Sequence, residues 1–119
     1  MVQSLNTKVD FTTSATSFSN LSSYGKIMLG DKSFEFYHTH DVRKNIQIPW
    51  SEVNYIAASV FFKGKWIPRY IVQTKSGTSF AFASREPKRV LKIASNYIGS
   101  DRVVHALGFI DAIKKRFKK

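Results

Sequence analysis

The chain has no cysteine among its 119 residues, three prolines, six glycines that stand singly, and eight acidic residues against nineteen Lys and Arg. Without cysteine, neither a disulfide framework nor a thiolate zinc site can form, which excludes a small secreted fold stapled by bridges. No segment approaches the ~18 consecutive apolar residues of a membrane span. The longest apolar run, Tyr55 to Phe62, is interrupted by Ser59 and has the length of a strand. Met1 to Asp10 lacks the basic-then-apolar order of an export leader. The expectation is a soluble cytoplasmic protein, free to sit peripherally at the inner membrane face. Scattered glycines supply neither G-x-G-x-x-G nor a phosphate loop, and the many serines include no G-x-S-x-G elbow. An enzyme is therefore not expected, and no cofactor or metal is assigned.

What is present is apolar and basic. Hydrophobic residues make up 43% and aromatics 14%, ten of them Phe, too many for a chain that stays unfolded. The length suits one core plus a tail. The net charge of +11 is uneven, with +7 in residues 85–119 and +4 in residues 1–84. A basic end calls for an acidic partner (nucleic acid, anionic lipid or an acidic protein surface), although net charge also serves solubility alone.

Period-two alternation predicts seven strands. Val9 and Phe11 begin a first strand ahead of a polar loop around Ser14 to Ser23. Tyr24 to Leu29 and Ser33 to His38 flank the Gly30-Asp31-Lys32 turn, with Phe34 and Phe36 on one face and Glu35 and Tyr37 on the other. Ile46 to Trp50 contains Pro49, which lacks a donor, so this strand should lie at an edge or end there. Val53 to Phe62, Trp66 to Thr74 and Thr78 to Ala83 follow, separated by turns at Gly64 and Gly77. The period then becomes 3.6: Glu86 to Ile98 reads as a helix, with Pro87 in its first turn, Gly99 as its stop, and Val90, Leu91, Ala94, Tyr97 and Ile98 on the buried stripe. A second helix is expected from Ser100 or Asp101, with Val103, Ala106, Leu107, Ile110, Ile113 and Phe117 as its stripe. The fold class is thus mainly β: a seven-stranded antiparallel barrel or sandwich capped by a helix over residues 1–99, then a basic amphipathic helical tail over 100–119.

Two segments suit a partner. The first is a hairpin tip, Phe62, Lys63, Lys65, Trp66 and Arg69, where aromatics beside cations fit an anionic interface or a protein groove, although Phe and Trp flanking a turn also pack as cross-strand pairs. The second is the tail, Lys114, Lys115, Arg116, Lys118 and Lys119, whose apolar stripe could equally pack on the barrel or on a second subunit. A helix-turn-helix reading is disfavoured, because the second helix would open on Arg102, Val103, Val104 and His105, two of them apolar, with the cations at its far end. His38 and His40 would share a strand face but lack the further ligands of a zinc site.

The layout resembles the pleckstrin-homology-like superfold, including GRAM-type members, on Gly25 to Tyr37 and Ile46 to Val53 within roughly residues 24–98. The strings Ile48-Pro49-Trp50-Ser51-Glu52-Val53, Tyr55 to Arg69 and Met1 to Asp10 resemble the ManO-type family, along nearly the whole chain. These small proteins are encoded with the mannose/glucose phosphotransferase system of Gram-positive bacteria, and their domain has no assigned function. The resemblance implies a non-enzymatic accessory or regulatory protein of that system, acting by protein contact at the cytoplasmic membrane face. The implied partner is a phosphotransferase-system subunit, with an anionic membrane surface and a second copy of the chain as further candidates. The alternative is a nucleic-acid-binding regulator of the mannose operon.

Overall fold

Alternating side chains lay this chain into one eight-stranded sheet that folds over its own interior, as a computed structural model describing residues 3–18, 22–59 and 66–106 shows. The elements are β1 (Val9–Ser17), β2 (Ser23–Gly30), β3 (Ser33–His38), β4 (Ile46–Pro49), β5 (Val53–Ser59), β6 (Tyr70–Thr74), β7 (Ser79–Ser84), the helix α1 (Pro87–Ile98) and β8 (Val103–Ala106). Their order across the sheet is β4-β3-β2-β1-β7-β6-β5-β8, so β4 and β8 are edges and the barrel expected from the sequence is not closed. A cleft of about 420 Å³ lies between β4 and the β6–β7 turn. The interior joins the two halves through rings: Phe82 of β7 lies 5.1 Å from Phe34 and 5.8 Å from Phe36 of β3, centroid to centroid.

The Gly30 and Gly77 turns form as expected, and β4 is both an edge and ends at Pro49. Gly77 takes φ +95, a left-handed conformation that favours glycine. Trp50 N–H donates to Lys32 O at 2.9 Å, so Ile48 and Ile46 direct their amides to β3 and Gln47 alone points a donor outward. Pro49 thereby blunts this edge against another strand.

Four expectations need correction. First, β1 runs on through Ser14 to Ser17, because Thr13, Ala15 and Ser17 alternate inward as small buried residues that composition alone makes look like a loop. Second, β6 begins at Tyr70 rather than Trp66, since Pro68 just upstream carries no ladder donor. Third, Tyr97 is 38% exposed rather than buried. Fourth, residues 103–106 are not helical: after Gly99 and a short 3-10 turn, Val103 and Val104 enter the sheet as β8, parallel to β5. Their β-branched side chains favour the pleated state, and Val103 packs on the core. The sheet thus has an eighth strand drawn from beyond residue 99. The Gly64 turn and the remainder of the expected tail helix lie outside the described residues.

Helix α1 closes the interior with Val90, Leu91, Ala94 and Ile98. Leu91 is 4% exposed. Leu91→Ala should cost about 2–5 kcal/mol through the cavity it leaves. Urea unfolding measures this, and a loss below about 1 kcal/mol would show that the helix contributes little to the core.

Candidate partner-binding surface

The register sets side by side the strand ends that precede the two expected partner segments in the sequence. Strand β8 pairs with β5 in parallel, Ser59 beside Ala106, so the described ends of the two strands lie about 4.8 Å apart. Sequence spacing could not show this, because it depends on β8 being a strand. Phe62, Lys63, Lys65, Lys114, Lys115, Arg116, Lys118 and Lys119 lie outside the described residues. Of the remaining pair, Trp66 is 53% exposed. Arg69 is also exposed, and its guanidinium lies 4.5 Å from the centre of the Phe18 ring. The carbonyl of Arg69 accepts from Ser59 N–H at 3.1 Å, which fixes this cation at the end of β5. Phe18 was not singled out in the sequence; it lies fifty-one positions upstream and only the β1–β7 pairing brings it here.

A second cationic feature lies on the outer face of β1, β2 and β7. A shallow groove of about 500 Å³ is lined by Ser14, Thr16, Tyr24, Lys26, Thr39 and Arg85, among others. Lys26 pairs with Ser14 across β1 and β2, and Arg85 N–H donates to Ser14 O at 3.1 Å, so two cations distant in sequence converge on one hydroxyl-rich wall. Among the described residues the ion pairs are Arg43–Asp41 at 3.1 Å and Arg89–Glu86 at 3.8 Å, which leaves Lys26 and Arg85 without a carboxylate partner there. The groove can therefore receive an acidic group. Neither cation stood out in the sequence, because Lys26 sits within an ordinary strand and Arg85 in the short link between β7 and α1.

His38 Nδ1 accepts from the amides of His40 at 3.0 Å and Asp41 at 2.8 Å, which closes the turn after β3. Among the described residues no three His, Asp or Glu side chains group closely enough to hold a metal. None of the described helices is long and apolar enough to cross a membrane.

The other polar constellation is structural. Glu35 is fully buried, and its carboxylate accepts from Ser4 Oγ at 2.6 Å, Leu5 N–H at 2.8 Å, Ser33 Oγ at 2.8 Å and Tyr37 Oη at 2.6 Å. Burial pushes this carboxyl up, but the four donors outweigh it and hold it below its ordinary value. Beside it, Asn6 Oδ1 accepts from the amides of Lys32 and Ser33, and Asp31 accepts from the amides of Thr7 and Lys8 and from the Thr7 hydroxyl. These bonds, the Thr7 hydroxyl foremost, lower the Asp31 pKa to about 2. Residues 4–8 are thus strapped over the outer face of the β2–β3 hairpin. On the other side of that turn, Trp50 Nε1 donates to Gly30 O at 2.8 Å and its ring stacks on Tyr97 at 5.2 Å. The Tyr97 hydroxyl donates to Asp10, which pushes its pKa up to about 12.

This curled sheet with one packed helix is PH-like. The chain is similar to the Slm1-PH domain, solved in complex with phosphoserine, at 13% identity and a TM-score of 0.55, over 75% of this chain and 91% of that one. It is similar also to the C-terminal domain of an unknown protein from Leishmania infantum, at 11% identity and a TM-score of 0.67, over 76% and 84% of the two chains. At such identities the likeness defines the fold alone. Residues 1–117 match the family described as a domain of unknown function (DUF956), and the chain belongs to that family. A search of the curated proteins finds no match.

Proposed function

We propose that this protein is a non-enzymatic accessory or regulatory component of the mannose phosphotransferase system, working by contact with an acidic partner at the cytoplasmic face of the membrane. The observation that supports the contact reading is the Ser59–Ala106 pairing, which sets side by side the two strand ends that precede the Lys63, Lys65 segment and the five-cation tail in the sequence. The assignment to this transport system rests on the resemblance of residues 1–10, 48–53 and 55–69 to ManO-type proteins, in keeping with a family match along residues 1–117. The Lys26–Arg85 groove favours an acidic group of the kind bound by the Slm1-PH domain, whose structure contains phosphoserine. At about 1 kcal/mol per cation near an anionic surface, the tail supplies at most ~5 kcal/mol, near millimolar binding. Charge is then a weak anchor, and a protein contact must supply the rest.

The test is charge reversal. Replacing Lys114, Lys115, Arg116, Lys118 and Lys119 by Glu should abolish crosslinking to the native-host transporter and membranes. The melting temperature should stay nearly unchanged, since such surface substitutions usually shift stability by less than about 0.5 kcal/mol. Trp66→Ala should weaken the association independently of salt, whereas the tail's contribution should fade as salt rises. Normal association of the tail variant would sink the reading. A specific nanomolar electrophoretic shift with mannose-operon promoter DNA at physiological salt would replace it with nucleic-acid recognition.

A further inference from the structure

Alternation along β1 buries Thr13, Ala15 and Ser17 and leaves Ser14 and Thr16 on the outer face of the sheet. The register then sets a cation on each side of Ser14. Lys26 faces it from β2, and Arg85, just past the end of β7, donates its amide to Ser14 O at 3.1 Å. Facing residues of antiparallel strands lie about 5 Å apart, so the two long side chains start about 10 Å apart and can close on one group above Ser14. Two positions along β1, about 7 Å away, Thr16 faces Tyr24, whose carbonyl accepts from Thr39 N–H at 3.0 Å and Thr39 Oγ1 at 2.8 Å. Three hydroxyls thus follow the cation pair in the next row of the sheet, and Tyr24, 69% exposed, offers its ring beside them. Among the described residues no Asp or Glu lines this groove of about 500 Å³. Glu86 lines the adjoining groove at the Thr12 end, where it lies 3.8 Å from Arg89, and its charge directs an anion away from Thr12 towards Thr16.

We propose that this groove binds a small soluble phosphomonoester of a polyhydroxy compound, such as a sugar phosphate. The phosphate sits over Ser14 between Lys26 and Arg85, and the hydroxylated carbon frame lies over Thr16, between Tyr24 and Thr39. Charge selects the head group. A phosphomonoester carries about 1.5 to 2 negative charges near neutral pH, which two cations match, whereas a carboxylate carries one and a polyphosphate exceeds them. The hydroxyls select the rest, because each both donates to and accepts from a ligand hydroxyl. A phosphorylated peptide suits the groove less well. Strands β2, β1 and β7 lie inside the sheet, between β3 and β6, so their main chains are engaged in the ladder and offer no edge to an extended segment. The inference rests on the acidic-group reading of this groove given above, and narrows it to a soluble ligand. The transporter contact is read on membranes with tail variants, this site on the isolated protein, so either can fail alone.

The test is titration of the full-length protein, followed by backbone amide chemical shifts at physiological salt. Glucose 6-phosphate is the probe, with inorganic phosphate and glucose as its two halves. It should bind about tenfold tighter or more than either half, because one molecule then makes both sets of contacts. The shifts should centre on Ser14, Thr16, Tyr24 and Arg85. Lys26→Glu and Arg85→Glu should each weaken binding about tenfold or more, through loss of a charge-assisted contact. Lys92→Glu changes the net charge equally from the exposed side of α1 and should alter binding less than about twofold, since salt screens distant exposed charges. Lys26→Gln and Arg85→Gln repeat the measurement without adding a charge, should either reversal disturb folding. Inorganic phosphate binding as tightly as the probe would reduce the groove to a general anion patch and overturn the proposal. Inositol trisphosphate or a phosphoserine peptide binding about tenfold tighter than the probe would assign the groove to a lipid headgroup or to a partner's phosphorylated segment, and would overturn it equally. Titration that leaves the groove amides unshifted would do the same.

Discussion

Glu35→Ala should destabilise the protein by about 2–4 kcal/mol, although it deletes an acidic residue from a strand of a strongly basic protein. The carboxylate is fully buried and is the shared acceptor of four donors, Ser4, Leu5, Ser33 and Tyr37. Removing it leaves those donors unpaired where water reaches them poorly, and an unsatisfied buried group costs about 1–3 kcal/mol. Glu35→Gln keeps the shape but exchanges acceptor capacity for an amide donor among donors, so it should recover only part of the loss. Hydrogen exchange should show residues 4–8 losing protection first, since the strap hangs on this group. A loss under about 1 kcal/mol for Glu35→Ala would mean that water or a rearranged strap satisfies the donors. The same carboxyl sets the acid response. Its pKa and that of Asp31 are lower in the folded protein than their ordinary values of 4.5 and 3.8, so the folded state binds fewer protons there. Their stabilisation is complete above those values and is lost as pH falls below about 4.5 towards the Asp31 value of about 2. Glu35→Gln should flatten stability against pH in that interval and leave the curve between pH 6 and 8 parallel to that of the parent protein.

Phe82→Ala should be the most damaging core substitution, at about 3–5 kcal/mol. Phe82 is fully buried on β7 and its ring meets Phe34 at 5.1 Å, Phe36 at 5.8 Å and Tyr70 at 6.3 Å, between centroids. The Phe34 and Phe36 contacts cross the interior between the two halves of the sheet, which among the described residues share strand hydrogen bonds only through β1 and β7, whereas Tyr70 is the neighbour of Phe82 across β6 and β7. The deletion therefore leaves a cavity at the seam, and the rings add about 0.5–1.5 kcal/mol per pair beyond buried area. Calorimetric unfolding is the measurement. A loss no larger than that of an exposed alanine substitution would show that the halves hold together through β1 and β7 alone.

Much of this architecture was legible because core strands carry period-two pairs of large side chains: Phe34 and Phe36, and Phe80 and Phe82, announce a buried face. The helix was equally legible from Pro87 to Gly99, where periodicity, a first-turn proline and a glycine stop agree. The misreadings share a cause. Thr13, Ala15 and Ser17 are buried but small, so their alternation carries little hydrophobic contrast, and β1 was cut short. Val103 and Ala106 fit a helical stripe by spacing while the residues between them fit a strand as well, and pairing with β5 decided between the two. Tyr97 lay on the buried stripe by angle, yet its ring reaches Trp50 and its hydroxyl reaches Asp10 at the surface. The candidate site was less legible still. Lys26 and Arg85, or Arg69 and Phe18, meet only through long-range register, which no local pattern encodes. Glu35 looked like one more solvent-facing strand residue because nothing in its own strand reveals that residues 4–8 will lie over it.

The pairing of Ala15 with Ser84 joins the first strand to the seventh, and β8 then returns to the fifth. A ribosome extruding this chain from its N-terminus would release the β1–β2–β3–β4 meander long before β7 emerged to cover its apolar face. That half-sheet, holding Ile27, Leu29, Phe34 and Phe36 without their lid, would be adhesive during synthesis. Folding dominated by such distant pairings belongs to the slower, millisecond-to-second class of small domains. Pro49 on the outer edge of the first half, available before β7 is made, is suited to keep the nascent meander from pairing edge to edge with its neighbours on the same messenger.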